Sequence, residues 1–187
     1  MNSSRTAAII VAQNRDPLRE SVERQLLEDI PLARAIQLRI AAWDGDSLRM
    51  TAPLAANVND KGCAFGGSLV SVMTLACWSL IRLAAEHAGE DCDIYVQDST
   101  VRYLAPVWSD FSADARLAPA QSWQGFFTTL NARGKSRLTA VCEIRLADGV
   151  IASTLEARFV AIRRGATVQA TDAAQSVTAS PRRGIAR

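Results

Sequence analysis

From residue 66 to residue 87 the chain reads as a helix that is apolar on nearly every side. Leu69, Val72, Met73, Ala76, Leu80, Leu83 and Ala84 fall on one side of a helix drawn through this stretch. Val70, Cys77, Trp78 and Ile81 fill much of the remaining circumference. A helix that is apolar nearly all round has to be wrapped by other structure. The alternative wrapping, a lipid bilayer, fits poorly: Arg82 interrupts the apolar run and Gly66-Gly67 open it. The segment therefore predicts a buried helix and no membrane partner.

Strands supply the wrapping. Two short ones are expected at 36–42 and 47–53, with Asp44-Gly45-Asp46 as the turn between them. After Gly89 the pattern predicts strands at 94–104 (stopped by Pro106), 110–117, 123–131, 136–146 and 150–163. Gly134 and Asp148-Gly149 mark two of the turns. Alternation is clearest in Phe111, Ala113, Ala115, Leu117 and in Leu138, Ala140, Cys142, Ile144, Leu146. Ahead of all this, Asp16 and Pro17 read as the N-cap and first residue of another helix. Leu18, Val22, Leu26 and Ile30 recur along it at a four-residue step, and Pro31 ends or kinks it. One long helix wrapped by an antiparallel sheet is the α+β arrangement called hotdog, here with an N-terminal helix. The expected division is a flexible arm over 1–14, a hotdog domain over 15–164 and a disordered basic tail over 165–187. A sheet with one helix on it leaves a face or edge to cover, so a homodimer or higher homo-oligomer is expected.

The 187 residues suit a single core. Four cysteines without a C-x-x-C pair, and one histidine (His87), argue against a metal site. Nothing in them demands an oxidising compartment, and the first ten residues are too briefly apolar for a signal segment. Both points favour a cytoplasmic location. Charge is lopsided: residues 1–100 hold 9 basic and 13 acidic side chains, residues 101–187 hold 12 and 6. A basic half suits an acidic or phosphate-bearing partner, or simply a solvated sheet face. Nucleic acid is not expected, because no groove-reading motif or interleaved aromatic residues accompany the charge.

The loop before the apolar helix carries the chemistry: Asn57-Val58-Asn59-Asp60-Lys61-Gly62-Cys63-Ala64-Phe65-Gly66-Gly67-Ser68. It sets two glycines at a helix N-terminus, where backbone N–H groups are free and the helix dipole is positive. Without side chains, a ligand oxygen can come close. That suits an oxyanion hole for a thioester carbonyl or its enolate; the glycines could equally serve tight packing.

The run Asn59-x-x-Gly62-x-x-Phe65-Gly66-Gly67 resembles the N-x-x-G-x-x-H-G-G loop of hotdog acyl-CoA thioesterases of the phenylacetate type. The longer string PLAANVNDKGCAFGGSLVSVMTLACWSL, with QDSTVRYLAPV after it, is more similar to the hotdog family named for the YiiD C-terminal domain. That family resembles the malonyl-acyl-carrier-protein decarboxylases that start fatty acid synthesis. The likeness spans about residues 20–162. It implies a substrate carried on acyl carrier protein or coenzyme A, and no separate cofactor.

Two departures bear on the reaction. Phe65 stands where the thioesterase loop has His. Thr74 stands where those enzymes carry the helix acid that activates water, and no Asp or Glu occurs from Gly66 to Ala85. Hydrolysis needs an activated water, whereas decarboxylation of a malonyl thioester needs its carbonyl polarised as the enolate forms. The expected lyase site is Asn59 with the Gly66 and Gly67 amides, then Asn57, with Phe65, Val70 and Met73 as an apolar wall. Ser68 joins the binding set as a first-turn residue. Asp60 keeps a hydrolase reading open, because another hotdog branch, the 4-hydroxybenzoyl-CoA thioesterases, uses an Asp on this loop; it could instead cap the loop. Asp98 could line a site at a subunit boundary, or pair with Arg102. Tyr103 could face a ligand or the core. Arg133, Lys135 and Arg137, with Arg163-Arg164, could hold the phosphates of a carrier. A non-catalytic thioester-binding protein is the remaining alternative.

Overall fold

The structure is a computed structural model that describes residues 17–165. Helix α1 spans 17–29, followed by α2 (Pro31–Ala35), β1 (Arg39–Trp43), β2 (Ser47–Ala52) and a single 3-10 turn, Leu54–Ala56. Then come α3 (Gly66–His87), β3 (Cys92–Tyr103), β4 (Phe111–Leu117), α4 (Trp123–Arg133), β5 (Lys135–Arg145) and β6 (Ile151–Arg163). The six strands form one antiparallel sheet in the order β1-β2-β4-β5-β6-β3. Helix α3 lies across its concave face against β2 to β6. This is the hotdog arrangement that the apolar helix predicted. Although α3 is long and apolar enough to cross a membrane, 67% of its most apolar window is buried inside the fold.

The core is where α3 meets alternate residues of the strands. Met73, Leu80 and Leu83 from the helix meet Leu48, Met50, Leu138, Ile144 and Phe159 from the sheet, all at most 2% exposed. All four cysteines are free and buried. Burial pushes the Cys142 thiol up, and a hydrogen bond with Cys77 adds to this, so the thiol stays neutral and acts as core filler.

Three expectations are corrected. Residues 123–133 are helical, not a strand. Trp123, Phe126, Phe127 and Leu130 recur at i, i+3, i+4 and i+7, and their aromatic character masked that period. Ser122 caps the helix by accepting from the Gly125 N–H at 3.1 Å, and Gly134 (φ +64°) ends it. Four strands, not five, therefore follow α3. Strand β1 starts at Arg39 because residues 31–35 form α2. The expected arm, the Asp16 cap and the tail beyond 165 lie outside the described residues.

The two sheet edges are treated differently. On β1, the Glu23 carboxylate accepts from the Ile40 N–H at 2.6 Å and Arg19 donates to the Ile40 carbonyl at 2.6 Å, so α1 covers that edge. On β3, the other edge, Tyr95 to Thr100 are exposed, as are Arg102 and Tyr103. Among the described residues, β6 is the only strand that pairs with β3.

Candidate functional site

The loop before α3 is a small closed hairpin. Val58 bridges Ala64. The Asn59 N–H donates to the Cys63 carbonyl at 2.8 Å, and the Gly62 N–H donates to the Asn59 carbonyl at 3.1 Å. Gly62 has φ +86°, a conformation that favours glycine at this tip. Asn57 braces the base: Nδ2 donates to the Ile36 carbonyl at 3.0 Å and the Pro53 carbonyl at 2.7 Å. At 2% exposure it lies behind the loop, and among the described residues its Oδ1 meets no donor.

Asn59 is half-buried and better placed. Its Oδ1 accepts from the Lys61 N–H at 2.8 Å, which orients the amide. Among the described residues its Nδ2 meets only the Cys63 sulfur, at 3.3 Å, a weak acceptor that leaves donor capacity for a ligand. Asp60 points away. Its carboxylate is 78% exposed and lies 3.0 Å from Lys61 Nζ. The capping role considered for Asp60 belongs to Asn59.

Helix α3 opens without a side-chain cap, because Phe65 occupies the N-cap position. Among the described residues no protein acceptor meets the N–H groups of Gly66, Gly67 or Ser68. Two aromatic rings flank these donors. A Cβ on Gly67 would lie 2.9 Å from Phe65 Cζ, and one on Gly66 would lie 3.5 Å from the Tyr103 ring. Both rings are more than half exposed, Phe65 at 56% and Tyr103 at 55%. Tyr103 also donates from its hydroxyl to the Gly66 carbonyl at 3.1 Å, tying the end of β3 to the start of α3. Beside this start lies a cavity of about 320 Å³, lined by Leu69, Tyr103, Leu104, Pro106 and Val107 among others. Tyr103 therefore lines the candidate site. In the sequence it looks like any strand aromatic, and only its register opposite buried Ser153 turns it toward α3.

Gly67, Val70, Ser71, Thr74 and Trp78 share the half-exposed side of α3, at helical spacing. Thr74 thus looks out where an acid would meet a ligand. Val70, expected in the apolar wall, lies on this side. Met73 does not: it is fully buried against the sheet. Ser68 is 8% exposed in the first turn.

The remaining candidates sit elsewhere in the chain. Asp98 pairs with Arg158 at 3.7 Å, not with Arg102. Arg158 is flanked by inward-facing Ala157 and Phe159, so the Asp98–Arg158 pair occupies the sheet face opposite α3. Arg163 and Arg164 are already engaged by Glu90, and by Asp91 and Asp93. Arg133, Lys135 and Arg137 gather at the far end of the strands, near the α3 C-terminus. There His87 packs edge-on against Trp43, and Trp123 donates to the Gly45 carbonyl. Among the described residues no group of three His, Cys, Asp or Glu side chains could hold a metal.

The family described as "Putative thioesterase (yiiD_Cterm)" matches residues 19–163. A Shewanella oneidensis crystal structure described as a "putative thioesterase" is 26% identical, with a TM-score of 0.70. The match covers 79% of this chain and 99% of that one. A Chlorobaculum tepidum protein of unknown function is 25% identical, with a TM-score of 0.74 over 79% of this chain and 96% of that one. A Pseudomonas aeruginosa "Probable Thioesterase" shares the fold at 20% identity and a TM-score of 0.65, covering 79% and 95% of the two chains. With a hotdog fold and a family match over most of its length, the chain belongs to the YiiD C-terminal-domain family of thioesterase-like proteins.

Proposed function

We propose that the protein decarboxylates a malonyl thioester, carried by acyl carrier protein or coenzyme A, to the acetyl thioester at the start of α3. The observation that carries this reading is a set of unpartnered main-chain donors with no carboxylate on the helix face beside them. The thioester carbonyl would accept from the Gly66 and Gly67 N–H groups, with the Asn59 amide as a further donor. As the bond to the carboxylate breaks, carbon dioxide leaves and its electron pair forms the enolate, whose oxygen those donors stabilise. Water then protonates the α-carbon. One well-placed donor of this kind contributes roughly 3–4 kcal/mol. The side chains of Phe65 and Val70 would keep the leaving carboxylate poorly hydrated.

The family description favours a second reading, hydrolysis of an acyl thioester. It requires a group that activates water. The single acid on α3, Glu86, lies at the far end and is engaged by Arg82. The loop acid Asp60 is held by Lys61. A purely binding role would leave both substrates intact.

The same reading includes a second copy docked along β3. The contrast between the covered β1 edge and the open twelve-residue β3 edge supports it, as do exposed Tyr95, Val96 and Leu104 along that edge. Four free thiols suit a cytoplasmic location.

The test is to incubate the protein with malonyl-acyl carrier protein and, separately, acetyl-acyl carrier protein, and to resolve the products by mass. Conversion of the first to acetyl-acyl carrier protein, with the second untouched, is the expected result. Free carrier from either substrate means hydrolysis and overturns the lyase reading.

A further inference from the structure

The cavity of about 320 Å³ beside the α3 start is more apolar than a malonyl unit requires. Leu69, Leu104, Ala105, Pro106 and Val107 line it with Tyr103. No charged side chain is among its lining residues, and its one side-chain hydroxyl, on Tyr103, is spent on the Gly66 carbonyl at 3.1 Å. The main chain around it is engaged as well. The Ala64 N–H donates to the Val107 carbonyl at 2.8 Å, and the Leu104 and Ala105 N–H groups donate to the Ala152 carbonyl at 2.8 and 3.1 Å. Such a wall offers a ligand contact area but few hydrogen bonds, so it favours an alkyl group over a polar one.

The cavity adjoins the candidate donors. Gly66 lines it, and Leu69, three residues on, lies along the same side of α3. Gly67 and Val70 follow the neighbouring line, beside Phe65. A carbonyl held at the Gly66 and Gly67 N–H groups then has its α-carbon between two apolar flanks. The Phe65–Val70 flank takes the leaving carboxylate in the reading above. The Leu69–Leu104 flank is left for another substituent of the α-carbon. In a malonyl unit that substituent is hydrogen, whereas the cavity has room for several groups the size of a water molecule or a methyl, roughly 30 Å³ each.

We infer that this cavity takes an alkyl group on the α-carbon, and that the site decarboxylates alkylmalonyl thioesters, methylmalonyl among them, to the matching acyl thioester. The bond to the carboxylate breaks and carbon dioxide leaves. The electron pair of that bond forms the enolate, the alkyl group stays on the α-carbon, and water supplies the proton, so methylmalonyl gives propionyl. The reaction rests on the decarboxylase reading; the alkyl subsite is measured apart from it.

The probes for the subsite are ketone analogues of acetyl-, propionyl- and butyryl-acyl carrier protein, with CH₂ in place of the thioester sulfur. They keep the carbonyl and can be neither hydrolysed nor decarboxylated. By calorimetry, affinity should rise roughly tenfold from the acetyl to the butyryl analogue. Ala105→Leu should fill the cavity and abolish that rise. Leu104→Phe, at an exposed position, gives the same reading if thermal melts show the first variant unfolded. A wild type that binds all three analogues equally, or none, overturns the inference. So does a rise that survives both variants, or an equal loss for all three analogues, which would give the cavity to the carrier arm that they share. With methylmalonyl-acyl carrier protein, the expected product by mass is propionyl-acyl carrier protein; conversion of malonyl with methylmalonyl untouched overturns the substrate assignment. A length-dependent rise in a protein that decarboxylates neither substrate would sink the proposed reaction and leave the alkyl subsite standing.

Discussion

The Tyr103 hydroxyl lies 3.1 Å from the Gly66 carbonyl oxygen, so the last residue of β3 holds the first residue of α3 in place. The bond orients the peptide plane next to the candidate donors. Tyr103→Phe keeps the ring over Gly66 and releases the carbonyl. Because the group is exposed, stability should fall by no more than about 1 kcal/mol. Turnover should drop severalfold with little change in KM. Steady-state kinetics beside a thermal melt would check this, and an unaltered kcat would count against the positioning role.

Phe65 and Gly67 should be energetically coupled. An alanine at 67 puts its Cβ 2.9 Å from Phe65 Cζ and displaces the ring. Gly67→Ala alone should therefore impair turnover. Phe65→Ala with Gly67→Ala should be less impaired than the two single effects combined, with a coupling of about 0.5–3 kcal/mol. A strictly additive cycle would mean that the ring does not bear on the site.

The loop predicts opposite outcomes for neighbouring residues. Asn59→Ala should lower kcat by about 10²–10³ if its amide acts as a donor. Asp60→Asn should be tolerated, since the carboxylate meets solvent and Lys61. The reverse pattern, an inactive Asp60→Asn beside an active Asn59→Ala, would identify a hydrolase that uses the loop acid.

On the outer sheet face, Glu143 links Arg116 (3.1 Å) and Arg145 (2.5 Å). Burial pushes its carboxyl up, but hydrogen bonds from both guanidinium groups and their charges outweigh this and hold it below the usual carboxylate value. A depressed folded-state value means the stabilisation is present above the unfolded value and is lost as pH falls through the folded one. Acid unfolding followed by circular dichroism should show a shallower loss of stability for Glu143→Gln than for the wild type. Identical acid limbs would contradict the assignment.

The fold was legible because one helix admitted few surroundings, and because Phe111 to Leu117 and Leu138 to Leu146 alternate cleanly. Helix α4 was misread because Trp123, Phe126 and Phe127 favour strands as residues while their spacing favours a helix. Within the site, the glycine pair could be read from composition alone. The split between Asn57 and Asn59 could not: both are loop asparagines, and only the fold shows one spending its amide on Ile36 and Pro53. Met73 misled for a similar reason, since neighbouring positions on an all-apolar helix carry no mark of which side meets the sheet. Asp98 needed the strand register opposite Arg158 before its face could be assigned.

The donors at the start of α3 belong to the main chain. No substitution deletes a peptide N–H except one to proline, so an alanine scan of side chains would pass over the central groups of this site. What inheritance can change is access to them, through the rings of Phe65 and Tyr103. Relatives with this backbone could therefore diverge widely in their loop residues and still polarise the same carbonyl, each admitting a different acyl group.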